Sequence, residues 1–212
     1  LDCFNAEEFS LIRHDVEFSM SRALLMAKID YSIDIESTFL FQVKSQAYNL
    51  CSNHNKEIVN RISDLKRKIG LHLYISHLEE NDWDSLEKEL KLQSAIFESS
   101  TGIKVKRFSF HRPPKWVLKN RNDWLFGYLN LYGESFFEFS DSPKNIKYIA
   151  DSQHKFNYGD PLDNHDFRKY QILLHPDEWT EVGYEDSENF KSLEFEHNMQ
   201  FKNTLNSETK HY

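Results

Sequence analysis

The chain has few of the residues that mark cross-linked or membrane-spanning proteins. Only 2 cysteines occur among its 212 residues, and the wide separation of Cys3 and Cys51 supports neither a disulfide framework nor a thiolate zinc cluster. No apolar run approaches the ~18 residues of a membrane span, so we expect none. The first residues show no basic segment followed by an apolar one, and together with the scarce cysteines this favours a cytoplasmic location.

Basic residues and linker residues are also in the minority. The chain has 26 Lys and Arg against 34 Asp and Glu, a net charge of −8, and no clustered basic stripe. Affinity for nucleic acids depends mostly on Lys and Arg that neutralise phosphates, so no nucleic-acid partner is expected. The 6 glycines and 5 prolines form no linker, and we expect one domain over residues 1–212.

Short β-rich runs alternate with amphipathic segments, which is typical of an α/β fold around a mostly parallel sheet. The predicted strands are residues 10–16, 37–43, 69–74, 105–111, 146–151 and 170–175. Helices are predicted between them, one on the stripe formed by Ile58, Ile62, Leu65 and Ile69. The clearest helix is predicted to start at an Asp84 cap and to stop at Gly102. Residues 115–142 predict a long aromatic-rich loop with short helices, and a polar helix is expected after Asp186.

Histidines concentrate at the carboxyl ends of the predicted strands. Four of the 10 histidines lie there, namely His14, His72, His111 and His175. Side chains at such ends converge on one mouth in parallel α/β folds, so we expect these imidazoles to meet. Imidazoles beside a carboxylate, here Asp15, are ligands that a zinc ion with an open position for water requires. The pattern therefore indicates metal-assisted hydrolysis.

Four motifs in this order resemble those of polysaccharide deacetylases. They are Asp15 after the first strand, His72 shortly after Gly70, the Phe-His-Arg-Pro-Pro run at 110–114 and the Leu-Leu-His-Pro run at 173–176. The Arg-His-Asp-Val-Glu run at 13–17, with Ile-Gly-Leu-His at 69–72, looks like a divergent bacterial branch often found with surface-polysaccharide genes. The resemblance covers residues 10–179. It implies a distorted (β/α) barrel of about seven strand–helix units and a metal-bound water that attacks an N-acetyl carbonyl.

The resemblance also implies three metal ligands, and the third of them has two candidates. Asp15 inherits a ligand position, and His72 is the second ligand. The family usually has another histidine four residues after this one, but that position here is Ser76, with His77 one step further. We prefer His111 as the third ligand, because its strand opens onto the same mouth and Pro113 follows closely, whereas His77 is expected in an acidic loop.

Catalytic and substrate-binding roles follow by position. The residue before the ligand aspartate is usually a second aspartate that acts as the base, but here it is His14, whose imidazole can accept a proton near neutral pH. His175 would protonate the leaving amine. Glu17 is assigned a catalytic role, Arg112 is expected to orient a catalytic side chain, and Asp151 to hold the substrate or the base.

These expectations describe a zinc-dependent deacetylase whose substrate is an N-acetylated sugar or polysaccharide precursor. Two alternatives remain at this point. One is an inactive carbohydrate-binding protein on the same fold, in which the altered second motif has lost the metal. The other is a hydrolase of another non-peptide carbon–nitrogen bond, for example on a nucleotide-linked sugar.

Overall fold

Eight β-strands form one sheet that carries the candidate site at one edge. The structure is a computed structural model that describes residues 6–141, 145–163, 167–180 and 186–209. The strands are β1 Phe9–Val16, β2 Ser37–Phe41, β3 Lys68–Tyr74, β4 Arg107–His111, β5 Trp124–Leu125, β6 Tyr128–Asn130, β7 Ile146–Ala150 and β8 Lys169–Leu174. The helices are α1 Met20–Ser32, α2 Asn53–Asp64, α3 Trp83–Thr101, α4 Lys115–Leu118 and α5 Asp186–Glu208.

The sheet is parallel except at one end. Its spatial order is β5-β6-β4-β3-β2-β1-β8-β7, and only β5 and β6 pair antiparallel. The carboxyl ends of β1, β3, β4 and β8 therefore lie along the same edge. This curled α/β sheet confirms the predicted fold class, with eight strands and, among the described residues, no pairing between β5 and β7 that would close a barrel.

All six predicted strands are present, but some boundaries differ. Helix α3 is capped by Asp82, whose Oδ1 accepts the Ser85 N–H at 2.9 Å, so the prediction of an Asp84 cap is wrong by two residues. Gly102 ends this helix at φ 75°, as predicted, because it tolerates left-handed backbone. Ile69 was predicted in a helix stripe, yet α2 ends at Asp64 and Ile69 lies in β3.

The aromatic stretch 115–142 is more ordered than a loop. Besides the short helix α4 it contains the two- and three-residue strands β5 and β6, which extend the sheet beyond β4. Its aromatic side chains Trp116, Tyr132 and Phe136 are buried. They therefore belong to the core, and β5 and β6 are too short to leave a periodic signal in the sequence.

Helix α5 is fastened to α1 through one buried side chain. The Arg22 guanidinium donates to Glu196 Oε1 at 2.7 Å, to Asn189 Oδ1 at 2.6 Å and to Ser192 Oγ at 2.9 Å. It also donates to the carbonyl oxygen of Asp177 at 2.9 Å. The first turns of α5 are thereby held against the turn that follows β8.

Within the described ranges, no helix combines the length and apolarity needed to cross a bilayer.

We predict that Gly70→Ala destabilises the protein by about 1–3 kcal/mol through overpacking. A Cβ at Gly70 would lie 2.5 Å from the carbonyl oxygen of Arg107 and 2.6 Å from Leu40 Cδ2. Urea denaturation measures the change. Gly102→Asn is the control, because no atom lies within 4 Å of the added Cβ and Asn tolerates left-handed backbone. Equal stability of Gly70→Ala and the wild type would show that β2 and β4 do not pack this closely on Gly70.

Candidate metal-dependent active site

The end of β1 presents alternate side chains to the two faces of the sheet. Successive strand residues point to opposite faces, so Arg13, Asp15 and Glu17 share one side and His14 takes the other. Asp15 and Glu17 line a cavity of about 550 Å³ at the carboxyl edge of the sheet. The alternation of side chains along β1 therefore decides which of residues 13–17 face the cavity.

Glu17, His72 and His111 form a group that could hold a metal ion. Glu17 Oε1 lies 2.9 Å from His72 Nε2 and 2.8 Å from His111 Nδ1, and the two nitrogens are 3.1 Å apart. Ligand atoms at 2.0–2.1 Å from a tetrahedral zinc ion would be separated by ~3.3 Å, so the three atoms are close to the required spacing. One carboxylate and two imidazoles are also a donor set that zinc accepts.

The two imidazole rings of this group are held by neighbours. His72 Nδ1 contacts Ser109 Oγ at 2.8 Å, which turns its Nε2 towards Glu17. Gln42 Nε2 lies 3.2 Å from His111 Nδ1, the nitrogen that also faces Glu17, so this contact would compete with a metal ion for that nitrogen. The Ser109 contact is on the other nitrogen of His72 and fixes the orientation and tautomer of that ring, which is the usual function of groups that surround metal ligands.

Electrostatics favour an ionised Glu17. Burial alone would raise its pKa, but the hydrogen bonds from His111 and His72 lower the pKa well below the usual range of a glutamate. A carboxylate that stays ionised is available to bind a cation. Glu17 was predicted to be catalytic, and its geometry instead fits a ligand.

Asp15 was predicted to be a metal ligand, and the structure gives its oxygens other partners. Arg13 donates to both of them, from Nε to Oδ1 at 3.1 Å and from Nη2 to Oδ2 at 3.0 Å. Asp15 Oδ2 also lies 3.3 Å from His72 Nδ1, whereas Glu17 contacts the other ring nitrogen, Nε2. Burial raises the pKa of Asp15, but Arg13, with His72 and His175, keeps it below its usual value. Asp15 is therefore an ionised carboxylate beside the triad and outside it.

His14 is not at the mouth, so its predicted role as the base disagrees with the geometry. Its ring is fully buried and stacks on Phe39 with 4.3 Å between centroids. Its Nε2 lies 2.8 Å from Asp30 Oδ2, on the helix α1 side of the sheet. The period of two along a strand explains the error, since neighbouring residues cannot both face the cavity.

His175 and Asp151 form a buried pair at the ends of β8 and β7. The Nδ1 of His175 lies 2.7 Å from Asp151 Oδ1, and its backbone N–H donates to Asp151 Oδ2 at 2.9 Å. Trp179 Nε1 donates to the same Oδ2 at 2.8 Å. Asp151 is 3% exposed, so it orients His175, whereas we predicted that it holds the substrate or the base. The Nε2 of His175 is left 4.0 Å from Glu17 Oε1.

The charge of His175 is set mainly by this pairing. Burial lowers its pKa, but the hydrogen bond and charge of Asp151, then Glu17 and Asp15, raise the pKa from 6.5 to about 9. The imidazole is therefore protonated at neutral pH. Pairing with the protonated ring stabilises the fold below about pH 6.5, and this contribution is lost as the pH rises through about 9.

Arg112 and His77 lie outside the triad. Arg112 is exposed, lines the cavity and makes no ion pair with an acid in the described part of the chain. Arg13 is the arginine that holds the carboxylate of Asp15, whereas Arg112 was predicted to orient a catalytic side chain. The His77 side chain is 46% exposed, and its Nε2 faces Glu89 at 3.6 Å. The geometry thus agrees with the preference for His111.

Several residues of the site were not predicted. Arg13, Ser109, Gln42 and Gln171 had no assigned role. The alternation along β1 was the available signal for Arg13, because it shares a face with Asp15. No local signal marks Gln171, which receives Arg13 Nη1 at 2.8 Å from a position 158 residues away.

Comparisons with known proteins identify the fold. No family model and no curated protein matches the chain. Solved structures match, among them a CE4 family pseudoenzyme from Bacillus anthracis, with TM-score 0.52 and 16% identity over 91% of this chain and 61% of that chain. A mutant of that pseudoenzyme with restored enzymatic activity gives TM-score 0.52 and 16% identity over 91% of this chain and 63% of the other.

A chitin deacetylase from the fungal pathogen Colletotrichum lindemuthianum also matches, with TM-score 0.50 and 13% identity over 79% of this chain and 73% of that chain. This chain therefore has the fold of CE4 carbohydrate esterases. It spans only about 61–63% of the length of the pseudoenzyme structures.

We predict that Glu17→Ala, His72→Ala and His111→Ala each weaken zinc binding by more than about 100-fold. Loss of a group that only supports a ligand costs ~10- to 100-fold, and we expect that range for Asp15→Asn. Competition with a chromogenic chelator measures the affinities. His77→Ala is the control and should bind zinc like the wild type. Tight binding by Glu17→Ala together with loss in Asp15→Asn would restore Asp15 as the ligand.

Proposed function

We propose that this chain is a metal-dependent deacetylase of the polysaccharide deacetylase superfamily, acting on an N-acetylated sugar. The observation that carries the proposal is the placement of two groups at one cavity. A His-His-Glu triad suited to a divalent ion lies on one side, and the protonated His175 stands 4.0 Å from Glu17. Amide hydrolysis needs both an activated water and a proton for the departing nitrogen.

Glu17, His72 and His111 would hold the ion. When bound, an ion such as zinc polarises a carbonyl oxygen and lowers the pKa of a coordinated water to about 7. The chain contributes a fixed orientation of His72, because Ser109 Oγ contacts its Nδ1 and leaves Nε2 towards Glu17.

Asp15 takes the role of the base in this proposal. It lines the cavity and stays ionised, which is the state in which a carboxylate accepts a proton. Arg13 keeps it in place with two hydrogen bonds. His14, the base expected from the sequence, cannot serve because it lies on the other face of the sheet.

His175 supplies the proton to the leaving nitrogen. Its Nδ1 is occupied by Asp151, so the proton to be transferred is on Nε2, which faces the triad. The raised pKa keeps that proton on the ring at neutral pH. This division, with one carboxylate held ionised and one imidazole held protonated, is the arrangement that acid–base catalysis requires.

The direct test is acetate release from a panel of N-acetylated sugars by the zinc-loaded protein. We expect release by the wild type and by His77→Ala, and none above background by Glu17→Ala. His175→Ala should lower kcat by ~10² to 10⁴ while its zinc content stays unchanged, because a general acid contributes about that factor. A protein that binds zinc and sugar without releasing acetate would instead be a carbohydrate-binding protein.

A second prediction concerns the pH profile. His175 acts in its protonated form, so the rate of the zinc-loaded protein should fall at high pH, where this ring loses its proton. Asp151→Asn removes the charge that raises this pKa, and we expect the basic limb of kcat to move to lower pH by about one pH unit or more. Asp84→Asn, at an exposed site on α3, is the matched control. If the rate falls at the same high pH in Asp151→Asn and in the wild type, His175 is not the group whose deprotonation lowers the rate.

A further inference from the structure

A second cavity lies beside the cavity at the triad. It has a volume of about 440 Å³ and is lined by the segments that follow β3 and β4, the strands that carry His72 and His111. Arg112, directly after His111, lines both cavities. The two cavities therefore adjoin at Arg112 on the carboxyl edge of the sheet, and a ligand longer than one sugar unit could reach both.

The lining of the second cavity combines apolar and polar side chains. Ile75 and Trp116 are buried, and Leu78 and Pro114 are partly buried. The polar side chains are exposed and therefore accessible to a ligand, and they belong to Ser76, Glu80, Arg112 and Lys115. An apolar lining with a few polar groups that converge is the usual form of a ligand site.

The charged side chains of the second cavity give it an excess of positive charge. Arg112 and Lys115 face one acid, Glu80, although the net charge of the whole chain is −8. Neither cationic side chain has an ion-pair or hydrogen-bond partner within the described ranges. Both charges are therefore available to an anionic group of a ligand.

The backbone holds Arg112 in a conformation that arginine rarely adopts. Its φ is 48°, in the left-handed region. The preceding residue, His111, pairs in register with Tyr74 of β3, and the following residue, Pro113, has a fixed φ. Strained backbone of this kind persists only where its surroundings determine it, and it clusters at ligand sites. The position of Arg112 between the cavities is thus set by the backbone and not by an ion pair.

We propose that the second cavity binds an anionic oxyacid group, a carboxylate or a phosphate, that is attached next to the N-acetylated sugar, and that Arg112 and Lys115 bind this group. The proposal rests on the proposed deacetylase function and gives its substrate class as an acidic saccharide. A guanidinium binds carboxylate and phosphate oxygens with two parallel N–H donors, and a lysine ammonium adds a point charge. Glu80 weakens the binding through repulsion of like charges.

The test compares ligands that differ in one anionic group. The ligands are disaccharides of N-acetylglucosamine with glucuronic acid on either side, and the matched disaccharides with glucose in its place. N-acetylglucosamine 1-phosphate against N-acetylglucosamine is the phosphate arm. Binding is followed by NMR titration of the zinc-loaded His175→Ala protein, in which turnover is expected to be slow. Acetate release from the same ligands is measured separately with His175 present.

The variants change one charge at a time. Arg112→Gln and Lys115→Gln each remove a cation from the second cavity, and Glu80→Gln removes the acid. Lys119→Gln is the matched control, because it removes the same charge from an exposed position outside the lining. Zinc content and thermal denaturation are recorded for every variant.

We expect at least one acidic ligand to bind about fivefold or more tightly than its neutral match. Arg112→Gln should reduce this preference about threefold or more and Lys115→Gln about twofold or more, as is usual for ionic contacts of exposed side chains. Glu80→Gln should increase the preference, and Lys119→Gln should leave it unchanged. Added sodium chloride should reduce it, because salt screens exposed charges. A preference for glucuronic acid identifies a carboxylate as the bound group, and a preference for the 1-phosphate identifies a phosphate.

Equal binding of all acidic ligands and their neutral matches would overturn the proposal, and so would an equal loss of preference in Arg112→Gln and Lys119→Gln. If Arg112→Gln fails to fold or loses zinc, opposite changes in Lys115→Gln and Glu80→Gln support the proposal, and any other pair of results overturns it. Failure of the deacetylase function looks different, because no ligand would then release acetate, while the titrations would still measure the preference.

Discussion

The arrangement of the site depends on one ion pair inside the protein. Arg13 is 0% exposed, and its guanidinium is shared between Asp15, Gln171 and the hydroxyl of Tyr132. Removing two charges from water is costly, and such a pair is tolerated only when the remaining donors are satisfied. Here β1, β8 and the segment after β6 each supply a partner. The pair therefore fixes how these three parts of the chain meet, and with them the position of Asp15 behind the His72 ring.

The surrounding groups then divide the titratable side chains into distinct charge states. Hydrogen bonds from two imidazoles keep Glu17 ionised, and Asp151 keeps His175 protonated. Both effects act against the burial of the groups concerned. The difference in charge state between Glu17 and His175 comes from partners that lie on different strands, so it exists only in the folded chain.

Much of the fold could be predicted from the sequence, because strand and helix periodicities are local. The six longer strands and the convergence of His72, His111 and His175 follow from runs that end in histidine at the carboxyl edge of a parallel sheet. What the sequence could not supply depends on contacts between distant residues, such as Arg13 with Gln171. The strands β5 and β6 were missed because two or three residues show no period.

The errors at the site have two physical origins. A strand sorts residues 13–17 onto two faces, so His14 was assigned to a mouth that it cannot reach. Asp15 and Glu17 share a face, and their roles were exchanged because the sequence did not show that Arg13 engages both oxygens of Asp15 and leaves Glu17 to the two histidines. The same sorting brings Arg13, an unassigned residue, onto the face of the site.

The attachment of α5 through Arg22 makes the last helix part of the binding cavity. Asn189 and Phe190 form its wall, although they lie about 170 positions from the β1–α1 junction that they face. In a chain that ended after His175, the triad and the His175–Asp151 pair would remain, but the Arg22 guanidinium would lose Asn189, Ser192 and Glu196 as hydrogen-bond partners. The cavity would also lose the part of its wall that Asn189 and Phe190 provide, so the C-terminal helix determines how far the cavity is open to solvent.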